Sequence, residues 1–364
     1  MLIRLESPSP DLLHTLASPL CYILPASFEA LIRQGAFFRD PIGSGPYRIA
    51  LRDPLHIKLS INPYYRKPRP WLTEITFQIL NSRRGLRREE LDRFDLIAGA
   101  PMETAVVLPG HRTQTYMHPV VEFLGFNLRH HIWKNRTLRE AFAAAFDREA
   151  FYRVLYKGRT ASWHPADSLI PYGMLARAKT GEGDRNRPHG QFSVTLQLSE
   201  LFARSEDAVI DFVTAPHIAE TKLQRAVDAA TRSSGLRLRA RKIALADFID
   251  QARRGAAGIF VMQLAADIPD PHEILINFTD DGPVNYTGYT GLTAPLRTVL
   301  STTSRRDRAA TYAALAEQLR QEAVAIPIAS VLNEKLFVRK GLALTQMNQY
   351  GPWYYPLNMV QPEI

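Results

Sequence analysis

The chain has 364 residues, enough for two or three domains at roughly 150 residues each. Hydrophobic residues make up 46% and charged residues 22%, a globular balance that excludes wholesale disorder, and 20 Gly with 25 Pro exclude a collagenous or low-complexity chain. Lys+Arg number 45 against 36 Asp+Glu, and the resulting +9 permits an anionic partner without demanding one.

The N-terminus carries Glu6, Pro8, Pro10 and Asp11 where an export signal needs its apolar core, so no signal peptide is expected in these residues. Cys21 is the only cysteine and excludes an internal disulfide or a multi-cysteine metal site. Pro41-Ile-Gly-Ser-Gly-Pro46 reads as a tight turn rather than a phosphate loop. Arg48 stands where a third glycine is needed, Pro46 removes an amide, and the chain runs on into a strand from Tyr47 to Leu51. Alternation at Leu55, Ile57, Leu59 and Ile61 predicts a strand, and Ile75, Phe77 and Ile79 predict another. Arg83, Arg84, Arg87, Arg88 and Arg93 are followed at once by acids and lack interleaved aromatics, so they read as a solvated helix face and no nucleic-acid partner is expected. Thr137-x-x-Glu140 is read as a capping box that opens a helix with Leu138, Phe142, Ala145 and Phe146 on one stripe and Gly158 as its end. The stretch from Pro165 to Pro188 is loop-like. A second helix is expected through Leu223, Ala226, Val227 and Ala230, stopping at Gly235, and then a strand with Leu236, Leu238 and Ala240 opposite Arg237, Arg239 and Arg241. That arginine face could bind phosphates or simply be exposed. The longest apolar stretch, 255–266, is 12 residues, short of the ~20 that a membrane span needs. It contains a buried strand through Ile259 to Met262. A third helix is expected from about Arg305 to Ala323, with Tyr312, Ala316, Leu319 and Ala323 on one side. Strands and helices alternate without repeats, which argues for an α/β fold.

Among candidate chemical groups, His130-His131 would point to opposite faces of a strand and cannot share a metal. Asp267, Asp270, His272 and Glu273 crowd into seven residues, but Pro269 and Pro271 interrupt them and no metal site is expected. Asp267 lies a few residues past the end of the buried strand, where open α/β sheets grip ligands. A carboxylate in apolar surroundings there needs a cation, either a ligand ammonium or a neighbouring arginine.

The turn and strand Pro41-Ile-Gly-Ser-Gly-Pro-Tyr-Arg-Ile resembles the P-x-G-T-G-P-Y segment of family 5 extracellular solute-binding proteins, the oligopeptide- and dipeptide-binding components of ABC importers. Asn62-Pro-Tyr-Tyr through Pro70-Trp-Leu-Thr-Glu-Ile-Thr-Phe77 is similar to their N-P-x-Y…P-x-L-D-E-I-x-F, with Thr73 for Asp. Leu124-Gly-Phe-Asn127, Arg136-Thr-Leu-Arg-Glu-Ala141 and Ala145-Phe-Asp-Arg148 resemble F-N…V-R-x-A…A-I-D-R, and Ala266-Asp-Ile-Pro-Asp-Pro271 with Asn285-Tyr-Thr-Gly-Tyr289 resembles A-D-Y-P-D-P…N-Y-S-G-Y.

The resemblance implies a class II periplasmic-binding-protein clamp of two α/β lobes with mixed sheets that closes over a ligand by hinge motion. Its implied division is 1–120 as a partial first lobe, 121–340 as the second lobe and 341–364 as a return to the first. The beginning of the first lobe, with any signal peptide, is then expected ahead of Met1. By resemblance, Asp267 pairs with a peptide α-ammonium, and Phe123, Leu124 and Gly125 offer backbone to an extended peptide as an added strand. Asn285 and Tyr289 shape the cleft floor. Two departures are Leu264, where peptide binders carry Trp, and Ile268, where they carry Tyr. The implied function is solute binding without catalysis or cofactor, the partners being a small peptide and membrane permease subunits, in the periplasm or cell envelope. The alternative is the cytoplasmic ligand-sensing domain of a solute-binding-type transcriptional regulator.

Overall fold

The structure is a computed structural model that describes residues 2–5, 9, 12–17, 21–37, 39, 41–80, 88–97, 108–116, 119–157, 163–175, 200, 208–213, 218–268, 270–331, 334–344 and 360–362. The chain divides into two units, Leu13–Met117 with Glu334–Ile364 and His118–Asn333 with Met1–Leu12. No helix of the described residues is long and apolar enough to cross a membrane.

Two short helices, α1 (Leu12–Ala17) and α2 (Phe28–Arg33), precede an antiparallel sheet of β1 (Tyr47–Arg52), β2 (His56–Ile61) and β3 (Glu74–Gln78). The turn at 41–46 leads straight into β1, and the side chain of Asn62 ties it down by donating to the carbonyls of Gly43 (3.3 Å) and Gly45 (2.9 Å). Ile57 opposite Phe77 and Leu59 opposite Ile75 make the cross-strand apolar pairs that the alternation predicts. After α3 (Arg88–Leu91) come β4 (Leu96–Ile97) and β5 (His111–Tyr116). Of the arginine-rich stretch, residues 83, 84 and 87 lie outside the described residues.

The second unit is built around β6 (Val120–Phe126), in which all seven residues are buried. Such a strand, covered on both faces, needs no polar alternation. Its neighbours form one mixed sheet in the order β7-β11-β6-β10-β8-β9. These strands are β7 (Trp163–Pro165), β8 (Val209–Phe212), β9 (Arg239–Lys242), β10 (Ile259–Ala265) and β11 (Ala325–Val331). β6 runs antiparallel to β10 and β11, whereas β8 is parallel to both β10 and β9. Alternate residues of β6 and β10 divide between two cores. Val121, Phe123, Phe260 and Met262 face one side with Phe248, Leu296, Tyr312 and Leu319, and Leu124, Phe126, Ile259 and Val261 face the other with Phe142, Phe151, Leu223 and Val227. The helices that supply these residues are α4 (Arg136–Ala145), α5 (Arg148–Leu155), α6 (Glu220–Thr231), α7 (Leu245–Arg253), α9 (Thr293–Ser301) and α10 (Arg305–Gln321); between α7 and α9 lies the short α8 (His272–Leu275). The unit is therefore three layers, helices on both faces of one sheet. Phe126, Trp133 and Phe142 pack at centroid distances of 5.0–5.5 Å, each pair adding about 1 kcal/mol beyond its area burial.

Several expectations change in detail. The helix read from Thr137 is two helices. Asn135, not Thr137, caps α4 by accepting from the amide of Leu138, and Glu140 pairs with Arg136 at 2.7 Å instead of closing a capping box. Phe146 is extended, and Asp147 then accepts from the amides of Glu149 and Ala150, starting α5 afresh. Gly158 lies outside the described residues, as do 176–188 of the loop-like stretch. The strand read from Leu236 pairs only from Arg239, although Leu236, Leu238 and Ala240 are buried as expected. α6 ends at Thr231, and Gly235 follows at φ +71°.

The chain then returns to the first unit. β12 (Glu334–Arg339) fills the centre of the sheet β4-β12-β5, and β13 (Leu342–Leu344) pairs with β14 (Val360–Pro362). Phe337 buries against Leu91, Ile97 and Leu108 to make a small separate core.

Candidate functional site

β10 hands the chain to a tight, hydrogen-bonded segment. The amide of Ala266 still donates to Pro119, extending the ladder with β6 by one step. The backbone then turns, and the amides of Asp267 and Ile268 both donate to one carboxylate oxygen of Glu273, at 2.9 and 3.4 Å. Asp270 accepts from the amide of His272 at 2.9 Å and from the guanidinium of Arg308 on α10. Asp270 and Arg308 are both buried, whereas Asp267 is exposed. The carboxyl of Glu273 is pushed above its ordinary range, first by burial and then by the charges of Asp267 and Asp270, against the pull of the two amides it accepts from. Three carboxylates thus gather at the end of the strand, with Asp267 at the surface. Among the described residues no three His, Cys, Asp or Glu side chains gather as metal ligands.

Asn285 and Tyr289 occupy the next loop. The amide group of Asn285 donates to the carbonyls of Thr279 (2.6 Å) and Tyr289 (2.7 Å), and its oxygen accepts from the hydroxyl of Thr287 and the amide of Gly288, both at 2.9 Å. All four of its hydrogen-bonding positions are used inside its own loop. Tyr289 is buried, and its hydroxyl accepts from the side chain of Gln318 at 2.8 Å. Burial, reinforced by the nearby Glu322 carboxylate, pushes the phenol up to about 12. The two residues therefore hold the loop together rather than present free polar groups.

The placement of Phe123, Leu124 and Gly125 corrects the reading of them. They lie mid-strand in β6, opposite Met262, Val261 and Phe260 of β10 on one side and Pro327, Ile326 and Ala325 of β11 on the other. With strands on both sides and all three residues buried, no free edge is left there for an added peptide strand. Gly125 is needed for packing, since a Cβ there would stand 2.5 Å from the ring of Phe260. Leu264 and Ile268, at the positions of the absent aromatics, are buried apolar residues.

His130 and His131 are also placed differently from expectation. Asn127 donates to the carbonyls of Ala252 and Ala257 and turns the chain out of β6, so the two histidines sit in a turn and their rings lie 4.5 Å apart, tilted by 32°, rather than facing apart. Of the arginines alternating near β9, Arg241 is bound bidentately by buried Asp211, at 2.6 and 2.9 Å. Arg237 and Arg239 line an open hollow of about 720 Å³ with Arg232 and Asp228, where β8 and β9 begin and so at the opposite end of the sheet from Asp267.

Two elements of this architecture escaped the sequence reading, Arg308 beneath the Asp267 segment and Arg139 beneath α10. Each had a signal. Arg308 falls four residues before Tyr312 and eleven before Leu319 on one buried stripe, and Arg139 falls three before Phe142 on another. A charged residue on an apolar stripe marks a buried partner.

Residues 2–286 match the family model of bacterial extracellular solute-binding proteins, family 5, middle region. The chain belongs to this family. A putative ABC transporter peptide-binding protein of Brucella ovis is 28% identical over 193 residues, 49% of this chain and 36% of that protein. The oligopeptide-binding protein AppA of Bacillus subtilis is 24% identical over 200 residues, 47% of this chain and 37% of that protein. The matches thus span about a third of these relatives' lengths. Among solved structures, the periplasmic binding protein DppA of Helicobacter pylori in complex with the peptide STSA superposes with a TM-score of 0.74 at 16% identity, covering 99% of this chain and 71% of that one. A dipeptide-binding protein of Pseudoalteromonas sp. SM9913 with bound Met-Leu gives 0.73 at 17% identity, covering 98% and 72%. The fold of this family 5 member is that of the two-lobed periplasmic binding proteins, with mixed sheets.

Proposed function

We propose that this family 5 chain is the peptide-binding component of an ABC importer, with Asp267 as the group that holds the α-ammonium of the ligand. The observation that carries the reading is the position of Asp267, exposed just past the end of β10, with Glu273 and Asp270 adding negative charge beside it. Arg308 is buried and donates to Asp270, which anchors the segment from below. An incoming ammonium gains charge-assisted hydrogen bonds at the surface carboxylate. The names of the relatives support a peptide as ligand.

The lobes we assign are 1–120 with 341–364, and 121–340; the break between units at Met117 supports the first bound, whereas Met1–Leu12 and residues 334–340 each fall with the other unit. The partners are a small peptide and the permease subunits of the importer, in the cell envelope, and the chain carries its ligand unchanged. Asn285 and Tyr289 serve indirectly, by fixing the loop that follows the site. The test is thermal unfolding against pooled di- to pentapeptides, beside Asp267→Asn. A ligand at 100 times its dissociation constant adds about 2.7 kcal/mol of stability. A rise in melting temperature that the variant abolishes is the expected result. A rise that survives in the variant discards Asp267, and no rise with any pool discards the peptide.

A further inference from the structure

One end of the β1-β2-β3 sheet carries an exposed aromatic and cationic patch. At this end β1 begins, β2 ends and β3 begins, so the turn 41–46 and the loop 62–73 lie side by side. The loops are cross-tied. Asn62 donates to Gly43 and Gly45, the amide of Tyr64 donates back to Asn62 at 3.1 Å, and the hydroxyl of Tyr47 donates to the carbonyl of Leu72 at 2.9 Å. Pro63, Pro68 and Pro70 stiffen the longer loop further. On this fixed frame Tyr64 is 86% exposed, Trp71 68% and Ile42 56%. Open apolar side chains are ordinary when scattered singly, and others occur along residues 2–79, but these three lie on the two cross-tied loops that also carry the cations.

Among the described residues the charge on these two loops is positive. Arg66, Lys67 and Arg69 are exposed and meet no carboxylate among the described residues. Residues 62–73 contain no acid, and the first one beyond, Glu74, is held by Lys58 at 2.9 Å. Asp53, the acid between β1 and β2, sits at the far end of the sheet, bound to the amides of Leu55 and His56. Tyr and Trp have an apolar body and a polar edge, the combination enriched where hydrocarbon meets lipid headgroups, and each lysine or arginine near an anionic surface adds about 1 kcal/mol. Ile42 and the prolines suit acyl chains and offer nothing to a stacked base.

We propose that this tip docks the chain on an anionic lipid surface. Tyr64, Trp71 and Ile42 enter the headgroup layer while Arg66, Lys67 and Arg69 meet lipid phosphates. The test is co-sedimentation of the full chain with vesicles of phosphatidylcholine and phosphatidylglycerol, against phosphatidylcholine alone, at low and high salt. Binding to the anionic vesicles that weakens with salt is expected. Arg66→Gln/Lys67→Gln/Arg69→Gln should weaken it on the order of 100-fold, about fivefold per cation. In a chain whose other tryptophans, Trp133, Trp163 and Trp353, are replaced by Phe, the emission of Trp71 should blue-shift and be quenched by brominated lipid. No vesicle binding, binding unchanged in the triple variant, or tryptophan emission indifferent to lipid overturns the proposal. Binding to single-stranded oligonucleotide but not to vesicles assigns the tip to nucleic acid instead. A light-scattering mass of twice the chain, halved by Tyr64→Ser/Trp71→Ser, assigns it to a second copy.

Discussion

Arg308 of α10 donates to Asp270, three residues beyond Asp267, and both side chains are about nine-tenths buried. The pair fastens the segment after β10 to the helix layer beneath it. Taking two charges out of water is costly, and it is tolerated here because each is the other's counter-ion and Asp270 also accepts the amide of His272. The exposed Asp267 thus stands on a segment whose underside is locked.

Removing one member leaves the other charged and buried. Arg308→Met and Asp270→Asn should each lower unfolding stability by about 3–5 kcal/mol. The double change Asp270→Leu/Arg308→Met should recover much of that loss, because no charge is left stranded. Urea unfolding monitored on the four proteins measures the coupling. Single-variant losses below about 1 kcal/mol would show that the pair does not hold the segment.

Glu273 supplies a pH dependence. Its folded carboxyl lies above the ordinary value of 4.5, chiefly through burial, with Asp267 and Asp270 adding to the rise. A carboxyl raised on folding contributes stability that is full below its unfolded value and is lost as pH rises through the folded one. Glu273→Gln keeps an oxygen for the amides of Asp267 and Ile268 but cannot ionise. Across the window from pH 4.5 upward, the melting temperature of the unmodified chain should therefore fall relative to that of the variant. Parallel curves would remove Glu273 as the source.

Much of this was legible in the sequence because local patterns report local environments. Every residue of Val120–Phe126 is apolar apart from Glu122, and the strand is central; Thr-x-x-Glu, by contrast, misled because Asn135 lies two residues ahead and wins the cap. The Asp270–Arg308 partnership spans 38 residues and the Arg139–Ala323 contact 184, distances over which no spacing rule operates. Phe123 to Gly125 were misread for the same reason. A strand's sequence does not say whether its edges are taken, and here β10 and β11 take both.

Arg139 holds the end of α10 by hydrogen bonds to carbonyls. Its guanidinium donates to Trp133 and Lys134 on its own side and to Glu322 and Ala323 at the helix end, at 2.8–3.2 Å. Burial pushes its pKa down, so the charge is kept at a cost that these carbonyls and the negative end of the helix offset. Ala323 itself holds φ +47°, a conformation that needs such support. Arg139→Lys should cost about 2–3 kcal/mol, since one ammonium cannot span four acceptors fixed by a planar fork. Hydrogen exchange should then speed up at the amides of residues 322–324. Unchanged exchange there would mean that the helix end closes without the arginine.

Asn285 offers a test of the proposal that Asp267, and not the following loop, contacts the ligand. Its four hydrogen bonds all lie within 279–289, so truncation leaves two carbonyls, an amide and a hydroxyl without their partner. Asn285→Ala should cost about 2 kcal/mol of stability. Asn285→Asp should cost more, because it turns a carboxylate oxygen toward the carbonyls of Thr279 and Tyr289. Peptide affinity, measured well below the melting temperature of each protein, should change little in Asn285→Ala and collapse in Asp267→Asn. The opposite order, with affinity lost at Asn285 and retained at Asp267, would move the ligand contact from the end of β10 to the loop that follows it.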